Sequence, residues 1–303
     1  MSIISRGSIL EALRPGIHAF YGLGYNRYED EYKAIFDVKQ SSLNYERDVN
    51  MYGFGMAAVK NEGSSVEYDV LSEAFSYNYV HVPYARAFSI THEAMMDGQY
   101  MKIAEVASTA MGKSMRETKE TVAANVLNLA FGTTLVYADA LQLCSTANLL
   151  SGGGTFQNRL TTDADLSEAS LEQALIDIGG FVSDRNLKSK VMARKLIIPL
   201  NLQFEAARIL KSTLRVSSAE NDINAIKEGM YVPEGAVVNH YLTDADAWFI
   251  KTDVDQGLQH FVREPVKIDM DTEFNTDNLL VKFYERYSFG CTDKRGIFGS
   301  AGA

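Results

Sequence analysis

The chain has 303 residues, 46% hydrophobic and 22% charged, and its 29 Lys and Arg against 39 Asp and Glu leave a net charge of -10. This is the composition of a globular chain long enough for two domains or one large fold. The acidic balance excludes nucleic-acid or membrane-surface binding driven by overall charge, and two cysteines far apart, Cys144 and Cys291, exclude a disulfide framework or a thiolate metal site.

Residues 1–45 are rich in glycine and aromatics (Gly16, Gly22, Gly24, Phe20, Tyr21, Tyr25, Tyr28, Tyr32) and show no sustained helical or strand period. They read as an extended arm whose aromatics need a surface on the same subunit or a neighbour. From Leu43 to Ile90, short runs of Tyr, Val and Phe flank the turn Lys60-Asn61-Glu62-Gly63-Ser64. That pattern predicts a long β-hairpin with limbs at about 44–59 and 66–87. Its limbs hold too few aliphatics for a core, and a two-stranded hairpin is marginal alone, so it is expected to lie on another surface.

Between Thr91 and about Phe131, apolar residues recur at three- and four-residue spacing and predict one long helix with Thr91 as its N-cap. About 40 residues would span roughly 60 Å, with any bend near Gly98 or Gly112. After an apolar run at 135–143 and a glycine loop at 152–154, Ser170-Leu171-Glu172-Gln173 signals a helix start, with the helix running to about Asn186. Lys195–Ile198 reads as a buried strand ended by Pro199, and Asn201 as the cap of a helix at 204–211 with Ala207 and Leu210 inward. Residues 212–230 lack a period and read as a surface or interface loop. Strands resume at 231–232, 237–242, 247–251, 259–263, 266–270 and 278–287. The class is α+β.

The chemistry-bearing residues form no recognisable catalytic or metal constellation. None of the five histidines, His18, His81, His92, His240 and His260, pairs at helical metal-site spacing, and His92-Glu93 lacks the second histidine of a zinc protease because Met96 stands there. Ser151-Gly152-Gly153-Gly154-Thr155 lacks the Lys of a phosphate loop, and Cys144 has no nameable base. Asp269-Met270-Asp271-Thr272-Glu273 lacks the glycine of a calcium loop. No enzyme, cofactor or metal is therefore expected.

A resemblance does emerge from residues in order. Tyr52-Gly53-Phe54-Gly55-Met56, Glu62-Gly63, Tyr68-Asp69, Tyr79-Val80-His81 and Phe88-Ser89-Ile90-Thr91-His92-Glu93 resemble the extended loop leading into the spine helix of tailed-phage major capsid proteins. Lys195-Leu196-Ile197-Ile198-Pro199 followed by Phe204-Glu205-Ala206-Ala207 is similar to the strand-to-helix step of that family's axial lobe. Arg286-Tyr287-Ser288-Phe289-Gly290 and Asp293-Lys294-Arg295-Gly296-Ile297-Phe298 are similar to its closing strand and terminal turn.

The resemblance implies the Hong Kong 97-type capsid fold. Residues 1–45 become the N-terminal arm, 46–90 the extended loop, 91–164 the peripheral domain with the spine helix at 91–132, 165–257 the axial domain, and 258–303 the returning peripheral strands and C-terminus. It implies a structural, non-enzymatic subunit that self-assembles into hexamers and pentamers of an icosahedral phage head around double-stranded DNA. The setting is then the virion, assembled in the bacterial host cytoplasm, with no membrane partner. A portal protein, a separate scaffolding protein and, in some members, a cement or decoration protein are the implied partners. An encapsulin-like cargo nanocompartment is the alternative with the same fold.

Tyr52, Phe54, Lys60, Glu62, Tyr68 and Tyr79 are the candidate inter-subunit contacts, and Arg6, Arg14 and Arg27 the candidate DNA-facing charges of the arm. Some members cross-link subunits through a loop Lys. Lys60 is the one obvious counterpart, and it reads first as a solvated turn charge.

Overall fold

The computed structural model describes residues 6–97, 100–214 and 223–303. In chain order the elements are α1 (Arg6–Tyr25), α2 (Tyr32–Ile35), β1 (Asp37–Gln40), β2 (Tyr45–Tyr52), β3 (Ser72–Val80), β4 (Val82–Ile90), α3 (His92–Met96), α4 (Tyr100–Asn128), β5 (Asn148–Leu149) and β6 (Thr155–Phe156). They are followed by α5 (Glu168–Gly179), β7 (Ala193–Ile198), α6 (Gln203–Lys211), α7 (Ala225–Glu228), β8 (Ala236–Val238), β9 (Trp248–Thr252), β10 (Leu258–Thr272), β11 (Leu279–Cys291) and β12 (Ile297–Ser300).

The arm departs from expectation, because much of it is the helix α1. Pro15, Gly16, Gly22 and Gly24 lower its intrinsic helix propensity, but Ile9, Leu13, Ile17, Tyr21 and Tyr25 recur at every fourth residue, a helical spacing that the sequence reading passed over. α1 packs on α4 backbone to backbone. A Cβ at Gly24 would stand 2.2 Å from the Thr109 carbonyl oxygen, and one at Gly112 2.5 Å from that of Tyr21. Beside this crossing, Ile17 and Tyr21 are buried with Met111 and Met115 of α4 against Ile268, Val281 and Phe283 of the long sheet. Tyr21 stacks on Phe283 at 4.9 Å, and the arm aromatics therefore bury largely on their own subunit.

The expected spine helix is present in two pieces. Thr91 caps α3 by accepting from the Ala94 N–H. Gly98, where a bend was expected, lies outside the described residues, and α4 then runs unbroken through Gly112 for 29 residues, about 44 Å at 1.5 Å per residue. Gly112 lies where α4 crosses α1.

Two four-stranded sheets organise the rest. The long one has the order β1-β10-β11-β4, and the other β12-β9-β7-β8. The second limb of the expected hairpin is split between two sheets: β3 pairs with β2, whereas β4 pairs with β11. The change occurs at His81, which is buried between Ser41 and Ser288 at 2.9 Å each and whose carbonyl accepts from Arg286. The strands expected at 259–263 and 266–270 are one strand, β10, irregular between Val262 and Lys267.

In the second sheet, β7 and β9 carry Leu196, Ile198, Trp248 and Ile250 into a core with α5 and α6. Ser167, not Ser170, caps α5, with Ser170 the reciprocal member of the capping box, and the helix ends at Gly179 rather than near Asn186. The inward face of α6 centres on Ala206 and Ile209, with Leu210 of the expected pair partly buried against the same core and Ala207 half-buried at its edge. β12 pairs with β9, so Ile297–Ser300 joins this sheet. A third core ties the sheets together, with Ile35, Phe36, Leu127, Phe249, Leu258 and Ile297 packed together. Cys144 and Cys291 are free and buried in it, and burial pushes the Cys144 thiol up to about 12.

Candidate assembly surface

The feature that stands away from these cores is the hairpin and its tip. Hydrogen-bonded pairing between β2 and β3 stops at Tyr52 opposite Ser72. Residues 53–71 then form no strand, and every one of them is exposed. The expected turn is there: the Ser64 N–H donates to Asn61 O at 3.1 Å, and Gly63 has φ +78°, a left-handed conformation that suits glycine. The side chains around it are not those of a solvated loop. Phe54 is 56% exposed, Met56 83%, Val59 90% and Tyr68 96%. Lys60 and Glu62 sit exposed at the turn.

The hairpin root is fixed to the body. Tyr79 is 1% exposed, its ring lies 4.8 Å from Tyr77 and 4.7 Å from Phe261, and its hydroxyl shares a 2.8 Å hydrogen bond with Thr292. Gly290 leaves room for both tyrosines, since a Cβ there would stand 2.7 Å from Tyr77 and 2.8 Å from Tyr79. Tyr79 is therefore an anchor within the subunit and not an inter-subunit contact. Strand alternation turns it to the inner face, while Val80 beside it is exposed. Burial raises its phenol far above the usual range. Tyr52 is placed by its backbone pairing at the end of β2, and its side chain lies outside the described residues.

A clamp that the sequence reading missed holds the loop where it leaves the strands. Arg185, in the turn after α5, donates to Asp69 Oδ1 and Val70 O at 3.0 Å each and to Gly53 O at 3.3 Å. The Asp69 carboxylate also accepts from the Gly55 N–H at 2.7 Å. That hydrogen bond first, then those from Val70 and Arg185, lowers the Asp69 carboxyl below the usual range. A lone aspartate in a loop otherwise studded with apolar residues was the available signal; its partner lies 116 positions away.

The arm arginines divide. Arg6 has its side chain outside the described residues, and Arg14 and Arg27 are exposed. The arm joins the body at Glu120, a buried carboxylate of α4 that accepts from the backbone N–H groups of Glu31 and Tyr32 at 2.9 and 3.0 Å. Glu31 in turn meets the His240 ring at 2.6 Å. Deeper, Lys119 and Glu285 form a buried pair at 2.7 Å between α4 and β11, with the ammonium 4.7 Å from the Tyr287 ring centroid.

Among the described residues, no group of His, Cys, Asp or Glu is arranged to hold a metal ion, and no helix is long and apolar enough to cross a membrane. His260 illustrates the structural use of the histidines: it is buried, stacked on Phe289 at 4.0 Å, and burial pushes its pKa down to about 4. What the surface offers is apolar contact area, held out on a tethered loop.

The family model for phage capsid proteins matches residues 76–299. The chain belongs to this phage capsid protein family. The match takes in the end of β3, all of β4 to β11 with α3 to α7 between them, and most of β12, while the arm, β1, β2 and the loop at 53–71 precede it. No curated protein matches the chain. Among solved structures, the chain is similar to a virus-like particle from Pyrococcus furiosus (13% identity, TM-score 0.52, covering 94% of this chain and 97% of that one). It is likewise similar to the capsid of Myoviridae phage XM1 (12%, TM-score 0.51, 88% and 90%) and to the capsid of an empty GTA particle (10%, TM-score 0.54, 90% of each). The fold is the α+β Hong Kong 97-type capsid fold expected from the order of parts, and the family is one of structural, self-assembling virion proteins. Membership in a phage capsid family also ranks the head-protein reading above the cargo-nanocompartment alternative.

Proposed function

We propose that this capsid protein is the major head subunit of a tailed phage, and that it works by burying its extended loop on neighbouring copies as hexamers and pentamers of a shell around double-stranded DNA. The observation that carries this is the loop at 53–71, which presents Phe54, Met56, Val59, Val66, Tyr68 and Val70 to solvent while its base is tied down by Arg185. An apolar surface of this kind, fixed at its root and uncovered at its tip, marks a contact with another chain. Interfaces between such subunits would exceed the roughly 1,600 Å² of a standard complex, and stability would then belong to the shell as much as to the subunit.

Several finer assignments rest on the family resemblance: arm 1–45, extended loop 46–90, axial lobe 165–257, and peripheral segments 91–164 and 258–303. So do a portal partner, scaffolding and cement proteins, and assembly in the host cytoplasm. Arg6, Arg14 and Arg27 are assigned to weak phosphate contacts inside the shell, while the net charge of -10 over the whole chain suits a container in which packed DNA slides.

The test is sedimentation velocity of the purified chain, with negative-stain images of the heaviest fraction. Five- and six-fold rings or closed shells are expected. Deleting residues 61–65 should abolish them while leaving the circular dichroism and unfolding midpoint of the subunit unchanged. Shells that form as well without those residues would overturn the loop's role.

A further inference from the structure

We propose that residues 65–69 of one subunit's extended loop add as a strand to the open edge of β4 in the next subunit, an inference that deepens the assembly reading above and rests on it. β4 is the last strand of the long sheet. Its register with β11 is unbroken from Val82 to Ile90 and runs straight through Pro83, which has no N–H to give. The ladder to β11 therefore uses the even-numbered residues, and the N–H groups of Ala85, Ala87 and Ser89 point the other way. Among the described residues those three donors meet no acceptor. Tyr84 and Phe88 turn onto the core shared with α1 and α4, whereas Pro83, Ala85, Ala87 and Ser89 share the exposed face. A row of unpaired backbone donors bordered by small side chains is a template for an extended segment of another chain.

The loop matches that edge in pattern and in charge. Residues 65–69 form no strand in the subunit and are all exposed, yet Val66 and Tyr68, 62% and 96% exposed, alternate with Glu67 as they would in a strand. β4 carries the complement, with the small Ala85 and Ala87 on either side of Arg86. Arg86 is exposed, donates to Ser114 Oγ at 3.0 Å and has no carboxylate partner among the described residues. Side chains opposite one another on adjacent strands share a face. The register that sets Glu67 against Arg86 thus also lays Val66 and Tyr68 over the two alanines, whichever way the added strand runs.

The occupant is the loop of a second copy. Within one subunit β3 carries the loop nine residues away from the start of β4, about 30 Å at 3.3 Å per residue, and Arg185 ties the loop's base there. The contact is therefore head to tail, loop to edge, and each subunit uses each half once, as a closed ring requires.

The experiment is sedimentation velocity of the full-length chain as wild type, Ala87→Pro, Glu67→Arg, Arg86→Glu and the double charge reversal, with a urea midpoint for each. Ala87→Pro removes an edge donor without touching the ladder to β11, so its midpoint should stay near that of wild type while rings and shells are lost. Each single charge reversal should lose them too, and the double reversal should recover them. An equal mixture of the two single variants should also recover them, because each then meets the other's complementary half; a contact within one subunit could not be rescued in this way. Should Ala87→Pro unfold early, the exposed charge pair carries the test. Wild-type assembly by a single reversal, or by a folded Ala87→Pro, would overturn the strand addition and leave the capsid reading standing. Single reversals that fail without recovery in the double variant or the mixture would give the edge another occupant and overturn the loop's place on it. A wild-type chain that stays monomeric at all concentrations would instead overturn the capsid reading, and this contact with it.

Discussion

Replacing Gly24 with Ala is expected to destabilise the subunit even though Ala is the better helix former. A Cβ at Gly24 stands 2.2 Å from the carbonyl oxygen, 2.9 Å from the carbonyl carbon and 3.0 Å from the Cα of Thr109, whereas ordinary contact begins at 3.4 Å. All three atoms are helix backbone, so none can swing aside, and α1 must retreat from α4 by about 1.2 Å, the shortfall at the oxygen. That retreat loosens Tyr21 from its 4.9 Å stack on Phe283. Overpacking of this kind costs about 3 kcal/mol at the upper end of its usual range, and Ala's higher helix propensity returns about 1. The net loss is about 2 kcal/mol. Urea unfolding of the unassembled chain measures it as a lowered midpoint at unchanged slope. Gly22→Ala is the control on the same helix: nothing lies within 4 Å of its Cβ, so propensity acts alone and stability should rise by about 1 kcal/mol. If Gly24→Ala unfolds at or above the wild-type midpoint, the close crossing is not what holds α1, and the account of the arm fails.

Glu120 should make stability depend on pH. Burial raises its carboxyl to about 7 against an ordinary 4.5, with the Glu31 and Tyr32 N–H groups pulling it down, so the folded chain holds this proton more tightly than the unfolded one. Its contribution is full below about 4.5 and is lost as pH rises through 7. Relative to Glu120→Gln, the wild type should gain up to about 3 kcal/mol between pH 8 and pH 4; a pH-independent difference in urea midpoint refutes this. The subtraction removes the opposite trend of His260, whose contribution fades as pH falls from 6.5 through about 4. Tyr79→Ala should cost about 3–5 kcal/mol in the same assay, as buried aromatics do, and Tyr68→Ala less than about 0.5 while reducing shell yield in sedimentation. A Tyr79 variant of native stability would remove its role as the hairpin's anchor. Arg185→Ala should speed proteolytic cleavage within residues 53–71 without shifting the unfolding midpoint; unchanged cleavage would show that the Asp69 clamp does not hold the loop.

Much of this protein is legible in the chain itself, wherever the determining contact is close in sequence. Thr91 caps its helix three residues on, the apolar spacing of α4 repeats every turn, and Asn61 to Ser64 close a tight turn around a glycine with positive φ. The order of these local signals carries the resemblance to the capsid family, which the match over residues 76–299 bears out. The candidate contacts at Phe54, Lys60, Glu62 and Tyr68 are exposed, on the stretch beyond Tyr52 and Ser72 where strand pairing has stopped.

What tertiary structure decided are the choices between local alternatives of equal merit. Alternation marks two faces of β3 but not which is inward, and Phe261 and Thr292, about 180 and 210 positions from Tyr79, settle it. The four-residue spacing of Ile9, Leu13, Ile17, Tyr21 and Tyr25 argues for a helix and the glycines with Pro15 argue against one, and the close approach to α4 at Gly112 decides for the helix. The Arg185 clamp joins segments with no shared motif. A charge declares its presence in sequence but not its partner, since the partner is fixed by how the cores bring distant backbone together.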